Sequence, residues 1–170
     1  MGGILALNCE ILVITVIIFG AALLVRRLLY CFIALHFGAA FVLSFDQYEV
    51  KKYHPLGEWF VTGCIFFPFI EEVIYRLPLF IFIGEDLDIL ACAVLASAFI
   101  FSVSHLPEHG KKGIAGQYLS YLLVWLFLLS LLLGSSFIWT GSIFPAMMIH
   151  AGVNAGVLWK IMRRRQTNIS

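Results

Sequence analysis

Long runs of apolar residues, separated by short polar stretches, constrain this 170-residue chain more than any other feature. Apolar residues make up 62% of the chain and charged residues only 12%, and the mean hydropathy is +0.99. A soluble domain has roughly 45–50% apolar and about 25% charged residues, so no water-soluble core could hold this much apolar side chain. The bilayer must be the solvent, which predicts an integral membrane protein.

Runs of roughly 17–25 apolar residues are long enough to cross a bilayer as helices. Six such runs can be placed, at 4–25, 28–45, 59–83, 88–105, 113–134 and 137–160. Very short joints at Arg26-Arg27 and at Ser135-Ser136 separate neighbouring spans. We therefore expect an all-α fold, a polytopic transmembrane helix bundle of about six spans that forms a single membrane-embedded domain over residues 1–170.

Lys and Arg in the short loops predict the orientation, because such residues accumulate on the cytoplasmic side. With six spans, both termini and two loops share one side, and that side holds eight basic residues: Lys51, Lys52, Lys111, Lys112, Lys160, Arg163, Arg164 and Arg165. The opposite side holds only Arg26 and Arg27. Both termini are therefore predicted to be cytoplasmic. The net charge of +1 gives no reason to expect a nucleic-acid partner.

Charged and strongly polar side chains inside a span are costly in hydrocarbon, so each one is a candidate functional residue. The spans contain eight of them: Glu10, His36, Glu71, Glu72, Arg76, His105, His150 and Asn154. Glu10 and His36 have no second polar residue at helical spacing, which favours a packing or solubility role. The other six lie on spans three, four and six.

The three charges of span three predict two different roles. Glu72 and Arg76 are four residues apart, so they lie on one helical face and can form an ion pair. Glu71 is rotated by about 100° and is not the natural partner of Arg76. It is left as a carboxylate in a low-dielectric site, which suits a general base. The alternative, in which both acids only pair with Arg76, leaves one of two adjacent carboxylates without a cation.

Spans four and six each carry polar or aromatic residues one helical turn apart. His150 and Asn154 share a face of span six, and Phe101 and His105 have the same spacing at the end of span four. Together with Glu71, these side chains could converge on a cavity in the cytoplasmic half of the membrane. The three spans therefore predict one shared site.

Span six also contains three residues that affect the backbone. Gly152 and Gly156 form a small-xxx-small pair, which lets a neighbouring helix approach closely. Pro145 lies five residues before His150 and is expected to kink the span and open a polar pocket.

A second motif competes for His105. The stretch from His105 through Glu108 to His109 reads H-x-x-E-H, the zinc-binding pattern of inverzincins. That chemistry needs both histidines on one face of a continuous helix, and Pro107 between them would remove a hydrogen bond and clash with the preceding turn. We interpret this match as a coincidental loop sequence.

Three motifs occur in order on separate spans: Glu71-Glu72-Val-Ile-Tyr-Arg76, Phe101-Ser-Val-Ser-His105 and His150-Ala-Gly-Val-Asn154. They match E-E-x-x-x-R, F-x-x-x-H and H-x-x-x-N, and with them the chain resembles the CAAX protease and bacteriocin-processing family. This family is also called the Abi family of glutamate-type intramembrane proteases. The resemblance covers roughly residues 59–160, the motif-bearing core, and implies a compact member in a bacterial inner membrane.

The resemblance implies an endopeptidase that hydrolyses a peptide bond near the membrane surface. Glu71 would activate water together with His105. His150 and Asn154 would stabilise the oxyanion of the tetrahedral intermediate. Supporting structural roles would fall to three further residues: Glu72, Arg76 and Phe101.

The resemblance leaves the metal, the substrate and two alternative functions open. Members have been described both as metalloproteases and as metal-free enzymes, so zinc is possible, with Glu71, His105 and His150 as its ligands. Membrane-associated substrates of the family include CAAX proteins, leader peptides and C-terminal sorting signals. The alternatives are a non-catalytic immunity-type membrane protein and a proton-coupled transporter. The complete set of motifs favours catalysis, and the lack of an evident inverted repeat disfavours transport.

Overall fold

A computed structural model describes residues 2–37, 60–105 and 116–167, and these residues are almost entirely helical. The helices are α1 (Gly2–Phe37), α2 (Phe67–Arg76), α3 (Leu87–Ser104), α4 (Gly116–Thr140) and α5 (Ile143–Thr167). A π-helical turn, Thr62–Phe66, leads into α2, and a 3-10 segment, Leu77–Phe82, follows it. No described residue lies in a strand, so the predicted all-α class is confirmed.

Three helical stretches are long and apolar enough to cross a membrane. They are Glu10–Phe32 within α1, Leu87–Ser104, and Leu122–Thr140 within α4, with mean hydropathies of 2.3, 2.1 and 2.2. Many large apolar side chains on these helices face outward, as expected where lipid is the solvent. The protein is thus an integral membrane protein. The predicted count of about six spans is not confirmed, since the described part of the chain offers three.

Helix α1 continues without a break through Arg26-Arg27, where the sequence predicted a turn between two spans. The prediction was wrong because a pair of charged residues does not by itself end a helix. The stretch from 23 to 29 consists mainly of Leu and Arg, which are strong helix formers, and it contains no Gly or Pro.

The connection between α4 and α5 lies about five residues beyond the predicted joint at Ser135-Ser136. Helix α4 includes both serines and ends at Thr140, and the chain turns at Gly141 with a φ of 62°. Glycine adopts this left-handed conformation at no steric cost, which makes it a common helix terminator. Pro145 then lies in the first turn of α5, where its missing N–H breaks no intrahelical bond, so the physical reason for the predicted kink does not apply.

Helices α1 and α5 pack closely and run parallel. A Cβ atom added to Gly152 would lie 2.9 Å from Cε2 of Phe19. Further along both helices, the ammonium of Lys160 lies 5.0 Å from the ring centroid of Tyr30. Gly156 has nothing within 4 Å of such an added Cβ. Of the two glycines predicted to admit a neighbouring helix, Gly152 therefore makes the close approach.

Basic side chains of α1 and α5 lie at the same end of the bundle, called here the basic end. Because the two helices are parallel, Arg26 and Arg27 lie near the level of Lys160 and Arg163, and not on the opposite side as predicted. The same parallel packing puts the beginning of α1 and the end of α5 at opposite ends, which argues against a shared side for both termini. Four further basic residues used in that prediction lie outside the described residues: Lys51, Lys52, Lys111 and Lys112.

Helices α3 and α4 run antiparallel, and their packing shows which end His105 occupies. A Cβ atom on Gly134 would lie 3.0 Å from Cγ1 of Val94. One turn further along α3, Ser97 lies level with Ser130 of α4, because both serines contact the same guanidinium. The C-terminal end of α3, with His105, therefore points towards the N-terminal part of α4, where Trp125 contacts Arg26 at the basic end.

The apolar core lies where α1, α4 and α5 meet. Its buried members are Ile18, Ala22, Trp125, Leu129, Leu133, Ala146, Ile149 and Val153. Ile149 and Val153 flank His150 in sequence, so the core holds the part of α5 that carries this histidine.

Candidate active site

Glu71, His105 and His150 come together although they lie on three different helices. Oε1 of Glu71 is 3.8 Å from Nε2 of His105, and Oε2 is 3.6 Å from Nε2 of His150. Both distances are longer than a direct hydrogen bond, and a water that binds both groups of such a pair can lie beside them. Glu71 and His105 are 26% and 20% exposed, so the cluster is open on one side.

Glu72 binds His150 from the side opposite Glu71. Nδ1 of His150 is 2.8 Å from Oε1 of Glu72, whose other oxygen accepts a hydrogen bond from Nε of Arg76 at 2.9 Å. Because a carboxylate only accepts, Nδ1 of His150 carries the hydrogen, and its Nε2 is directed at Glu71. The predicted ion pair between Glu72 and Arg76 forms. Its additional bond to His150 was missed, because 78 residues separate the two partners in sequence.

The guanidinium of Arg76 is fully buried, and each of its nitrogens has a partner. Nε binds Glu72, one terminal nitrogen binds Ser97 Oγ at 3.0 Å, and the other binds Ser130 Oγ at 2.9 Å. Burying a cation costs several kcal/mol unless its hydrogen bonds are made. Removing one partner of a buried ion pair by mutation typically destabilises a protein by about 3–5 kcal/mol. Neither serine was predicted to belong to the site, although a hydroxyl inside an apolar span is itself a signal for a buried polar partner.

His105 is oriented by the end of its own helix. Its Nδ1 lies 2.7 Å from the main-chain carbonyl oxygen of Phe101. That carbonyl is in the last turn of α3 and has no donor from a continuing helix. Because a carbonyl only accepts, Nδ1 of His105 donates, and Nε2 is the ring nitrogen that faces Glu71. Both histidines thus present Nε2 to the same carboxylate.

Phe101 forms the apolar floor of the site. Its fully buried ring lies 4.7 Å from the ring of His105, 5.9 Å from that of His150 and 5.1 Å from that of Tyr75, measured between centroids. The guanidinium carbon of Arg76 lies 5.6 Å from the same centroid. The ring therefore gives both histidines an apolar neighbour inside the cluster.

Asn154 joins α5 to the π-helical turn before α2. Its Nδ2 donates to the carbonyl oxygen of Gly63 at 2.8 Å. Pro68 has no N–H and cannot donate to the carbonyl four residues earlier, so the regular helical pattern is disturbed at this turn. An amide group has two hydrogens, and the bond to Gly63 uses one of them. Asn154 thus keeps a second hydrogen that can serve as a donor.

The described residues contain no group of three or more His, Cys, Asp or Glu side chains arranged to hold a metal ion. Glu71, His105 and His150, predicted as possible zinc ligands, do not form such a group. His109, the last residue of the competing H-x-x-E-H motif, lies outside the described residues.

The two remaining intramembrane polar residues of the sequence analysis lie on α1. Glu10 is exposed on this helix. The side chain of His36 lies outside the part that the structure describes.

The model of one protein family, described as type II CAAX prenyl endopeptidase Rce1-like, matches residues 55–156. The match spans more than half of the chain and includes every residue of the site. The chain belongs to this family. No curated protein and no solved structure gives a significant match. Membership confirms the family predicted from the three motifs and identifies a CAAX-type intramembrane protease in general terms.

Proposed function

We propose that this protein is an endopeptidase that cleaves membrane-associated proteins or peptides with a water molecule activated by Glu71 and His105. The observation that carries the proposal is the position of Glu71, whose two carboxylate oxygens face Nε2 atoms at 3.8 and 3.6 Å. A carboxylate between two oriented imidazoles can hold a water and accept its proton. Membership of a protease family supports the same reaction.

In the proposed reaction, Glu71 takes a proton from water while the water oxygen attacks the carbonyl carbon of the substrate. The peptide π-bond opens and its electron pair moves to the oxygen. Glu71 then returns the proton to the leaving amine nitrogen as the carbon–nitrogen bond breaks. His105 accepts a hydrogen bond from the same water at Nε2 and thereby aims it at the carbonyl.

The developing oxyanion would be stabilised from the α5 side. Asn154 offers its second amide hydrogen, and His150 donates from Nε2 when that atom carries a proton. Fixed donors of this kind commonly contribute about 2.7–4 kcal/mol to the stabilisation of a transition state. Glu72 holds His150 and the carbonyl of Gly63 holds Asn154, so the two donors need not move during the reaction.

The basic end of the bundle is proposed to face the cytoplasm of a bacterial cell, in accordance with the positive-inside rule. The acidic first turn of α3 lies at the other end. Because His105 lies towards the basic end, the substrate would be cleaved near the cytoplasmic surface. The family favours C-terminal CAAX-type peptides, with leader peptides and C-terminal sorting signals as the other substrate classes to be tried.

The test compares the full-length wild type with Glu71→Gln in lipid nanodiscs. The probes are a farnesylated CAAX peptide, a leader peptide and a C-terminal sorting peptide. Replacing the base by an amide is expected to reduce kcat by about 10²–10⁴-fold. Glu85→Gln, in the exposed turn before α3, is the matched control and should behave like the wild type.

Hydrolysis that continues unchanged in Glu71→Gln would refute the proposed mechanism. A chelator added to the wild type tests zinc separately, and loss of activity that is restored by zinc would refute the metal-free scheme. A folded wild type that cleaves none of the three probes would favour the immunity-type alternative.

A further inference from the structure

We propose that Tyr75 is a positioning residue that fixes the orientation of His105 through the hydroxyl group of Ser104. The catalytic consequence of this inference rests on the proposed function, because it concerns the water that His105 and Glu71 share. Its structural part, the orientation of the imidazole, can be tested without any activity.

Tyr75 is bound to α3 at two points, one on its main chain and one on its side chain. Ser97 Oγ donates to the carbonyl oxygen of Tyr75 at 2.8 Å, and the hydroxyl of Tyr75 donates to Ser104 Oγ at 2.7 Å. The carbonyl needs an outside donor, because Pro78, three residues later in the 3-10 segment, has no N–H. Ser97 and Ser104 are seven residues apart and therefore lie on one face of α3.

The bond from Tyr75 determines where the hydroxyl hydrogen of Ser104 points. Since Ser104 Oγ accepts from Tyr75, its own hydrogen is free to go to the carbonyl of Phe101, at 2.8 Å. Nδ1 of His105 binds the same carbonyl at 2.7 Å and lies 3.4 Å from Ser104 Oγ. Without the tyrosine hydroxyl, Ser104 Oγ would offer Nδ1 a competing acceptor and the ring could turn away from Glu71.

This hydrogen bond spans the same two helices as the catalytic pair. Tyr75 lies one turn after Glu71 on α2, and Ser104 directly precedes His105 at the end of α3. The link therefore fixes the end of α3 relative to Glu71, next to the two atoms 3.8 Å apart that the water would bridge. A misplacement of about 1 Å in such a site can reduce the rate about 100-fold.

The kinetic test uses Tyr75→Phe, Ser104→Ala and the double variant, each assayed with the farnesylated CAAX peptide. Phenylalanine keeps the edge-to-face contact with Phe101 and removes only the hydroxyl. We expect about a 10-fold lower kcat for each single variant with KM nearly unchanged, and no further loss in the double variant, because groups that act through one another are not additive. Tyr30→Phe, on α1, is the matched control and should leave kcat unchanged.

The spectroscopic test uses protein labelled with ¹⁵N-histidine, with the His105 signals assigned from His105→Gln. The wild type should show one set of His105 ring signals, protonated at Nδ1, and Tyr75→Phe should show a second set from the turned ring, which is also protonated at Nδ1. Unchanged His105 signals in Tyr75→Phe would overturn the inference, as would losses that multiply in the double variant. If Glu71→Gln retains activity, the proposed function fails, and the spectra still decide whether Tyr75 orients His105.

Discussion

His105 and His150 face the same carboxylate, yet the protein holds them in contrasting ways. His150 is 5% exposed, lies in the middle of a helix and binds a fully buried carboxylate with Nδ1. His105 is 20% exposed, lies at the end of a helix and binds a main-chain carbonyl. One side of the site is thus part of the protein's buried structure, and the other is attached to a helix terminus.

The difference indicates that the two sides depend on different kinds of interaction. The support of His150 continues through Glu72 and Arg76 to two serines, so it connects four helices by charged groups with all partners in place. Weakening it should reduce stability together with activity. The support of His105 consists of neutral hydrogen bonds near the surface, so weakening it should affect the rate and leave the fold intact.

The largest effect that separates the two sides is expected for Glu72→Ala. This change leaves the guanidinium of Arg76 buried without its carboxylate, and removing one partner of a buried ion pair costs about 3–5 kcal/mol. We expect a large fall in the free energy of unfolding, measured by circular dichroism in detergent, together with loss of hydrolysis. Glu85→Ala is the control and should change neither.

A Glu72→Ala variant as stable as the wild type would contradict this picture. It would mean that water reaches Arg76 and replaces the carboxylate. The support of His150 would then be as accessible to water as the support of His105.

A smaller effect is expected from removing each histidine in turn. His150→Ala leaves an oxygen of Glu72 buried without its donor, which costs about 1–3 kcal/mol. His105→Ala exposes a helix-end carbonyl that water can reach, and such changes usually stay within about 0.5 kcal/mol. Both variants should lose hydrolysis, and unfolding measurements should separate them. Equal losses of stability would break the comparison between the two sides.

The residues of the candidate site could be proposed from the sequence because the spacing within each motif shows which side chains share a helical face. Glu72 and Arg76 are one turn apart, so their ion pair follows from helix geometry alone. The rotation between Glu71 and Glu72 predicted different roles, but not that Glu72 would bind Nδ1 of His150 while Glu71 faces its Nε2. That contact depends on how α2 and α5 pack, and packing between segments 78 residues apart is not written in either segment.

The positions of the turns were predicted less well than the helical character of the chain. Hydropathy correctly indicated apolar helices, but the joints at Arg26-Arg27 and Ser135-Ser136 were placed at polar pairs, whereas the observed turn is at Gly141 with its positive φ. Inside a bilayer a backbone turn must still satisfy its polar groups, so glycine is a better marker than charge. The parallel packing of α1 and α5 then changed the side assigned to Arg26.

The smallest effect that sharpens the comparison concerns Gly152, two residues after His150 on α5. If the His150 side is rigid, α5 must be held firmly against α1, and the close contact of Gly152 with Phe19 is where this can be tested. In Gly152→Ala the added Cβ would force the ring to shift, which typically costs about 1–3 kcal/mol. The better helix propensity of alanine stabilises the folded state by about 1 kcal/mol. A net loss of about 1 kcal/mol is therefore expected, from the difference of the two effects.

Gly156→Ala is the matched control, because it changes the same residue type on the same helix where nothing lies within 4 Å. It should be neutral or stabilising by up to about 1 kcal/mol, since only the gain in helix propensity remains. Both stabilities can be measured by the same unfolding experiment in detergent. If Gly152→Ala proves as stable as Gly156→Ala, then Phe19 and α1 can shift to admit the added Cβ at little cost. The rigidity of the His150 side must then come from the hydrogen bonds around Arg76 alone.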